Sequence, residues 1–293
     1  MLYQQSNRLH GYPKAGSVAT GSAPPSLAID FFVAPAPTGS SANAGTYNSP
    51  WTLDYALAGA GGSVVAGKTV ALRGDAGTYD GNFSCALSGT SGSRITFCNA
   101  YGQTAIVRGS DATTRTLLLD ALGAYVDWRS NTSGWLVVQH ISPAADANPA
   151  NAGPSGIDVH MPHGRVINAV VHDTSGTGIG FWTESDSAEL HGNLIYNVGR
   201  QGNLDHGIYT QNAGGNGQKR IAKNIVFSSF AFGMQHYGDA QGVNNYLTEH
   251  NIIQHPGKIS GSGTRCSPTR RWRNRSTISF PRSTPDRDPG RSA

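Results

Sequence analysis

Residues 156–255 decide how this chain is read. In order they contain GIDVHM (156–161), RVINAVVH (165–172), GIGFWTE (178–184), ELHGNLIYN (189–197), HGIYTQN (206–212), RIAKNIVF (220–227), GMQHYG (233–238) and LTEHNIIQH (247–255). Two patterns alternate. One opens on a glycine followed by an apolar residue: Gly156, Gly178, Gly207 and Gly233, spaced 22, 29 and 26 residues apart. The other sets an asparagine before apolar residues: Asn168, Asn193, Asn224 and Asn251, spaced 25, 31 and 27 apart. A period of this length marks a repeat architecture. Within each unit the apolar residues alternate with period two, and no helix-length amphipathic segment intervenes. The expected structure is all-β, a coil of short parallel strands in which each turn stacks on the one before.

One such turn cannot bury its own apolar face, so neighbours above and below are needed. Two inward files are expected: Ile157, Ile179, Ile208 and Met234 in one, and Val170, Leu194, Ile225 and Ile252 in the other. The four asparagines fall at one place in each turn. Asparagine tolerates a left-handed backbone and bonds its own main chain, which suits a bend between strands. Stacked in register, the side chains are expected to bond one another as a ladder.

This arrangement resembles the right-handed parallel β-helix superfamily, the fold of pectate lyases and many other polysaccharide-active proteins. The resemblance covers about residues 30–257 and includes SGTSGSRITF (88–97) followed by AYGQTAIVRG (100–109). It implies the fold, and it leaves the activity open, because that superfamily holds lyases, hydrolases, esterases, epimerases and non-catalytic adhesins. The segment 31–51, FFVAPAPTGSSANAGTYNSPW, resembles an entrance common in these proteins: a strand, a Gly/Asn-rich loop, then a helix that plugs the open end of the coil. Ser49 is the expected N-cap and Pro50 the first helical residue, with Trp51, Leu53, Tyr55 and Leu57 on a short helix through Ala58. Superfamily members are mostly exported, which implies an extracellular or cell-surface protein.

Composition agrees with turn-rich β-structure: 293 residues, 38 glycines and 14% charged residues. The net charge of +4 is unevenly placed. Residues 258–293 carry nine Lys/Arg against two Asp, and the rest of the chain 13 against 16. The body is mildly acidic, which argues against a nucleic-acid partner. No apolar run reaches the length of a membrane span, and MLYQQSNRLHGYPKAG at the N-terminus lacks the apolar core of a signal peptide. Cys85 and Cys98 are near enough in sequence to pair, and are expected as two buried thiols. Residues 1–28, rich in Gly, Ser, Pro and Ala, read as a flexible leader. Residues 29–257 form the β-helix domain, with further strands at 68–73, 79–84, 94–97, 105–109, 116–119, 124–128 and 135–141. DANPANAGP (146–154) reads as an excursion over the outer face. Residues 258–293 break every pattern and read as a basic or aberrant tail of low order.

Alternation also assigns the outward residues. With the first file inward, one face collects Asp158 and His160, then Gly180, Trp182 and Glu184, then Tyr209 and Gln211, then Gln235 and Tyr237, about 4.8 Å apart per turn. VGRQGNLD (198–205) and NAGGNGQKR (212–220) flank one of these strands as walls of a groove. In proteins that this sequence resembles, the sugar chain lies across this face. The aromatic platforms (Trp182, Tyr209, Tyr237), carboxylates (Asp158, Glu184, Asp205), His206 and the basic pair Lys219 and Arg220 suit a polysaccharide. Outward aromatics on solenoids also serve simple inter-turn packing, and Lys219 and Arg220 also read as a solvated edge. His160, His163 and His172 read as structural, and His236 as an inward core histidine.

Three chemistries remain. β-Elimination of a uronate polymer needs a neutralised carboxylate, a base for the adjacent proton and an acid for the leaving oxygen. His206 is the candidate base, oriented by Asp205 or another carboxylate. Tyr209 is the candidate acid, and Arg220 or Gln211 the neutralising group. Ca²⁺ would need several oxygens, for which Asp158, Glu184 and Asp205 are available, although no calcium motif is present. Hydrolysis needs two carboxyl groups at a set separation. Asp205-His206-Gly207 is similar to the Gly-His-Gly of polygalacturonases, but their Asp-Asp pair is missing from the repeats. The third reading is a glycan-binding adhesin or tailspike-like stalk. The lyase reading is preferred, because the outward set offers His, Tyr and Arg without a paired-acid signature.

Overall fold

The computed structural model describes residues 27–110, 114–131, 133–140, 154–199, 204–238 and 243–254. The leader up to residue 26, the excursion at 146–153, part of the 198–205 turn and the tail at 258–293 lie outside the described residues.

Strands from successive turns align in three parallel sheets. The six-stranded sheet stacks Phe83–Cys85, Leu117–Leu119, Ile157–Val159, Ile179–Phe181, Ile208–Gln211 and Met234–Tyr237. The eight-stranded sheet stacks Phe31–Val33, Thr69–Leu72, Ile95–Asn99, Val126–Arg129, Arg165–Ile167, Glu189–His191, Lys219–Ala222 and Tyr246–Glu249. The seven-stranded sheet stacks Tyr79–Asp80, Gln103–Gly109, Gly134–His140, Val170–Thr174, Leu194–Val198, Ile225–Ser229 and Ile252–Ile253. From Phe83 onward each turn visits the sheets in one order: six-stranded, eight-stranded, seven-stranded. The chain is a right-handed parallel β-helix, the hand that crossover connections between parallel strands take.

The first expected file is in register. Ile157 pairs with Ile179, Ile179 with Ile208 and Ile208 with Met234, and the first three are wholly buried. The glycine before each strand has a steric cause. A Cβ on Gly207 would stand 2.3 Å from Val226 Cγ1 and 2.4 Å from the carbonyl oxygen of Gly233. Each leading glycine lets the next turn and a core side chain close over it.

The second file is displaced by one residue. Val170, Leu194, Ile225 and Ile252 do pair turn to turn, but they face outward, with Ile225 42% and Ile252 62% exposed. The inward residues are Val138, Val171, Ile195 and Val226. The ladder asparagine explains the phase. Asn193 and Asn224 point inward and are buried, so period two puts the second residue after them inside, not the first.

The ladder itself runs through three of the four expected positions. Asn224 Oδ1 accepts from the main-chain N and Nδ2 of Asn193 (3.0 and 2.9 Å). Asn251 Oδ1 does the same for Asn224 (2.9 Å each), and each Nδ2 also donates to a main-chain oxygen. Asn168 stands outside it. Ala169 holds the ladder position and donates its main-chain N–H to Asn193 Oδ1 at 3.0 Å. Asn168 instead occupies the left-handed residue just before, φ 53°, as do Gly192, Lys223 and His250 in later turns. The left-handed bend and the ladder are thus two adjacent positions.

The N-terminal helix is shorter than expected, Leu53–Leu57, and its N-cap is Thr52, whose hydroxyl accepts from the main-chain N of Tyr55. Trp51 lies before the helix, bridging to Val33. Leu53, Ala56 and Leu57 join the core beside the first strands. Leu27, Ile29 and Phe32 cover a small cluster of Ala71, Cys98 and Ala100. Cys85 and Cys98 are both free, buried thiols. Among the described residues no helix is long and apolar enough to cross a membrane.

Candidate functional site

The outer face of the six-stranded sheet carries the expected set. Asp158, Gly180, Tyr209 and Gln235 stand in register on four successive turns, and Gln211 pairs with Tyr237. Rings run along this face as a continuous row. His160 stacks on Trp182 at 5.6 Å, Trp182 meets Tyr209 at 5.3 Å, and Tyr209 stacks on Tyr237 at 6.2 Å. His206 stacks on Tyr209 at 5.5 Å and on Phe232 at 5.6 Å.

Gly180 opens the middle of the row. A Cβ there would stand 2.4 Å from Asp158 Oδ1 and 2.6 Å from Trp182 Nε1. Among the described residues neither atom has a hydrogen-bond partner, nor does His206 Nε2, and all three are buried. Asp158 is 4% exposed, and its other oxygen, Oδ2, is held by Arg115 Nε at 2.6 Å. Arg115 itself is 39% exposed. Among the described residues it is the cation of this face, and sequence reading missed it. It precedes the strand Leu117–Leu119 and reaches Asp158 only because that strand pairs with Ile157–Val159, 43 residues on. No local signal announces that.

His206 is 1% exposed. Its Nδ1 accepts from the main-chain N of Phe232 at 3.4 Å, which leaves the proton on Nε2. Burial lowers its pKa, with the Asp205 charge opposing. The ring is therefore a neutral donor at Nε2, not the base expected. Asp205 is wholly buried. Gln211 Nε2 donates to Tyr209 Oη at 2.9 Å, fixing that hydroxyl. Glu184 pairs with His160 Nδ1 at 3.0 Å.

The basic pair does not join the face. The turn at 212–218 carries the chain onto the eight-stranded sheet, where Arg220 points outward between Glu189 and Glu249. That excludes it as the neutralising group. Alternation then turns Lys219 inward, 0% exposed, where Nζ donates to the main-chain oxygens of Trp182 and Gln211. His236 is inward as expected, its Nε2 against Thr248 Oγ1 at 3.1 Å.

The wall after Gln211 is knitted by asparagines. Asn216 Nδ2 donates to Thr183 O at 2.9 Å, Asn212 Nδ2 to Asn244 O at 3.1 Å, and Asn245 Nδ2 to Asn216 O at 2.9 Å. Among the described residues no three His, Cys, Asp or Glu side chains gather as a metal site. Arg115 occupies the charge of Asp158, so the residues considered for Ca²⁺ do not fit it.

No protein-family model matches the sequence, and no curated protein matches it. Solved structures do. The pectate lyase Pel9A is 16% identical with a TM-score of 0.56, over 81% of this chain and 58% of that one. An alginate lyase from Paenibacillus sp. str. FPU-7 is 16% identical with a TM-score of 0.45, over 68% of this chain and 72% of that one. A GH136 lacto-N-biosidase from Eubacterium ramulus is 11% identical with a TM-score of 0.44, over 75% of this chain and 51% of that one. The chain thus spans 58% of the length of the pectate lyase. The likeness is one of fold, the parallel β-helix.

Proposed function

We propose that this is a polysaccharide-active protein, that an acidic glycan lies along the outer face of the six-stranded sheet, and that the glycan is cleaved there by β-elimination. The observation that carries this reading is the continuous row of rings from His160 to Tyr237, with Gly180 leaving open the space beside Asp158 Oδ1 and Trp182 Nε1, and with Arg115 on the other oxygen of Asp158. Sugar rings stack on aromatic faces, and a few placed polar groups fix their orientation. A polymer substrate of this kind is met outside the cell.

In the elimination, Arg115, held at Nε by Asp158, offers its remaining N–H donors to the uronate carboxylate, which acidifies the adjacent C–H. Tyr209 Oη, oriented by Gln211 and by the His206 ring beneath it, takes that proton as its phenolate and gives it to the leaving oxygen as the C–O bond breaks and the C=C bond forms. His206 Nε2 is a neutral donor toward the same space. Asp158 holds Arg115 and, with its charge already matched, is not free to form a hydrolase's carboxyl pair with Glu184, which His160 engages.

The test is to offer polygalacturonate, alginate and chondroitin sulfate, with and without chelator. Unsaturated ultraviolet-absorbing ends and reducing ends are measured together. Elimination raises both, and Tyr209→Phe lowers the rate by about 100-fold or more, the scale of one general acid–base group. Reducing ends without absorbance would make the protein a hydrolase. Binding without either product would make it a glycan-binding module.

A further inference from the structure

We propose that Lys219 is the positioning residue of the aromatic row: its buried side-chain nitrogen clamps the main-chain oxygens of Trp182 and Gln211, holding two successive turns in the arrangement that presents Trp182, Tyr209 and Gln211 as one surface. This rests on reading that face as a glycan site.

The two oxygens stand where the sheet ends. Trp182 directly follows the strand Ile179–Phe181, and Gln211 is the last residue of Ile208–Gln211. Strand-end carbonyls that turn inward need a donor. Lys219 opens the next strand, on the neighbouring sheet; its Nζ is the side-chain donor to Gln211 O and joins Ser185 N (3.1 Å) and Ser185 Oγ (2.6 Å) on Trp182 O. Both clamped residues belong to the row. Trp182 carries the central ring, and the side chain of Gln211 holds Tyr209 Oη.

A methionine or leucine would fill this space without desolvating an amine, so packing alone does not call for lysine. The Phe181 ring centre lies 5.0 Å from Nζ. Glu184 and Asp186, from the turn after Trp182, act on it electrostatically. Tyr246 is in register with Lys219 on the following turn, with the His236 ring tilted against it at 4.5 Å. The position before Glu189 on the preceding turn is the uncharged Ala188. Burial pushes Lys219 down to about 7, with Glu184 and Asp186 opposing. Its proton is therefore exchanged in the neutral range, and losing it weakens both bonds to carbonyl oxygen.

Two arms test this in the full chain. In the first, no glycan is present. The indole N–H resonance of Trp182, assigned by its loss in Trp182→Phe, is followed from pH 6 to 8.5. A His160→Gln background removes the imidazole stacked on that indole. The resonance is expected to shift with a midpoint near the Lys219 value, and to stay still in Lys219→Met. In the second arm, polygalacturonate and alginate binding is measured by affinity electrophoresis. Lys219→Met is expected to bind about 10-fold more weakly or worse, the scale of one lost charge-assisted hydrogen bond. A resonance that does not titrate in the His160→Gln chain overturns the clamp even if Lys219→Met fails to fold, as does unchanged glycan binding by a folded Lys219→Met. If the parent chain binds no polymer while the resonance behaves as expected, the glycan reading falls and the clamp on Trp182 stands.

Discussion

Replacing Asn224 by alanine is the sharpest test of the ladder. Its side chain is wholly buried. Its Oδ1 is the acceptor for two donors on the turn before, the main-chain N and Nδ2 of Asn193. Its Nδ2 serves Leu190 O at 3.2 Å and Asn251 Oδ1 at 2.9 Å. After truncation the Asn193 main-chain N–H has lost this acceptor outright. Asn193 Nδ2 keeps Val166 O, and Asn251 Oδ1 keeps the Asn224 main-chain N. A buried group left without a partner costs about 1–3 kcal/mol. With one full orphan and three partial losses, Asn224→Ala should destabilise by about 3–4 kcal/mol, a large share of a domain's stability. Asn168→Ala is the control. It leaves the ladder intact and costs about 1 kcal/mol, the strain of a left-handed alanine. Urea unfolding followed by far-ultraviolet circular dichroism measures both, with the slope m checked for constancy. Asn193→Ala/Asn224→Ala should cost less than the two singles summed, because the first substitution removes Asn193 Nδ2, one of the two donors that lose their acceptor in the second. An Asn224→Ala midpoint no lower than that of Asn168→Ala would refute the ladder as drawn.

Other expectations follow from the same geometry. Gly207→Ala should destabilise by about 3 kcal/mol or more, because its Cβ has no space against Val226 and Gly233; Gly92→Ala, with nothing within 4 Å, should stay within about 0.5 kcal/mol, both read by thermal melting. Lys219 makes stability depend on pH. Its folded pKa of about 7 lies below its ordinary 10.5, so between these values the unfolded chain holds a proton that the folded chain has shed. Stability therefore rises with pH across that window by up to about 1.4 kcal/mol per unit, a ceiling because the two carbonyls favour the charged amine. Urea midpoints at pH 7.5 and 9 should show the rise in the parent chain and its absence in Lys219→Met. Above pH 9 the buried Cys85 and Cys98 thiols, pushed up to about 11 and about 12, act with the opposite sign, since the unfolded thiols ionise first. Asp127→Asn should cost about 3 kcal/mol, because Asp127 is buried between Arg94 and Arg165 and both lose their counter-charge; a change under 1 kcal/mol in the urea midpoint would show that the pair of arginines needs no partner there.

The sequence by itself determined the coil. Glycine-led strands recurring every 22–29 residues, alternation between them and an asparagine in each turn admit one architecture, because a period-two apolar strand of this length is stable only when stacked. It also determined which side of the six-stranded sheet faces out, and hence the placement of Asp158, Trp182, Tyr209 and Gln235 on a common face. Tertiary structure decided the rest. After each asparagine two apolar residues follow, as in Asn193-Leu194-Ile195, and composition cannot say which is inward; the buried amide ladder sets that phase. Lys219 and Arg220 read alike as neighbouring cations, yet the turn that precedes them puts both on the eight-stranded sheet, where alternation sends one into the interior and the other outward. Arg115 meets Asp158 only through the pairing of strands that lie one full turn apart. Local pattern fixes direction along a strand, whereas which side chains meet across turns depends on loop lengths that carry no periodic signal.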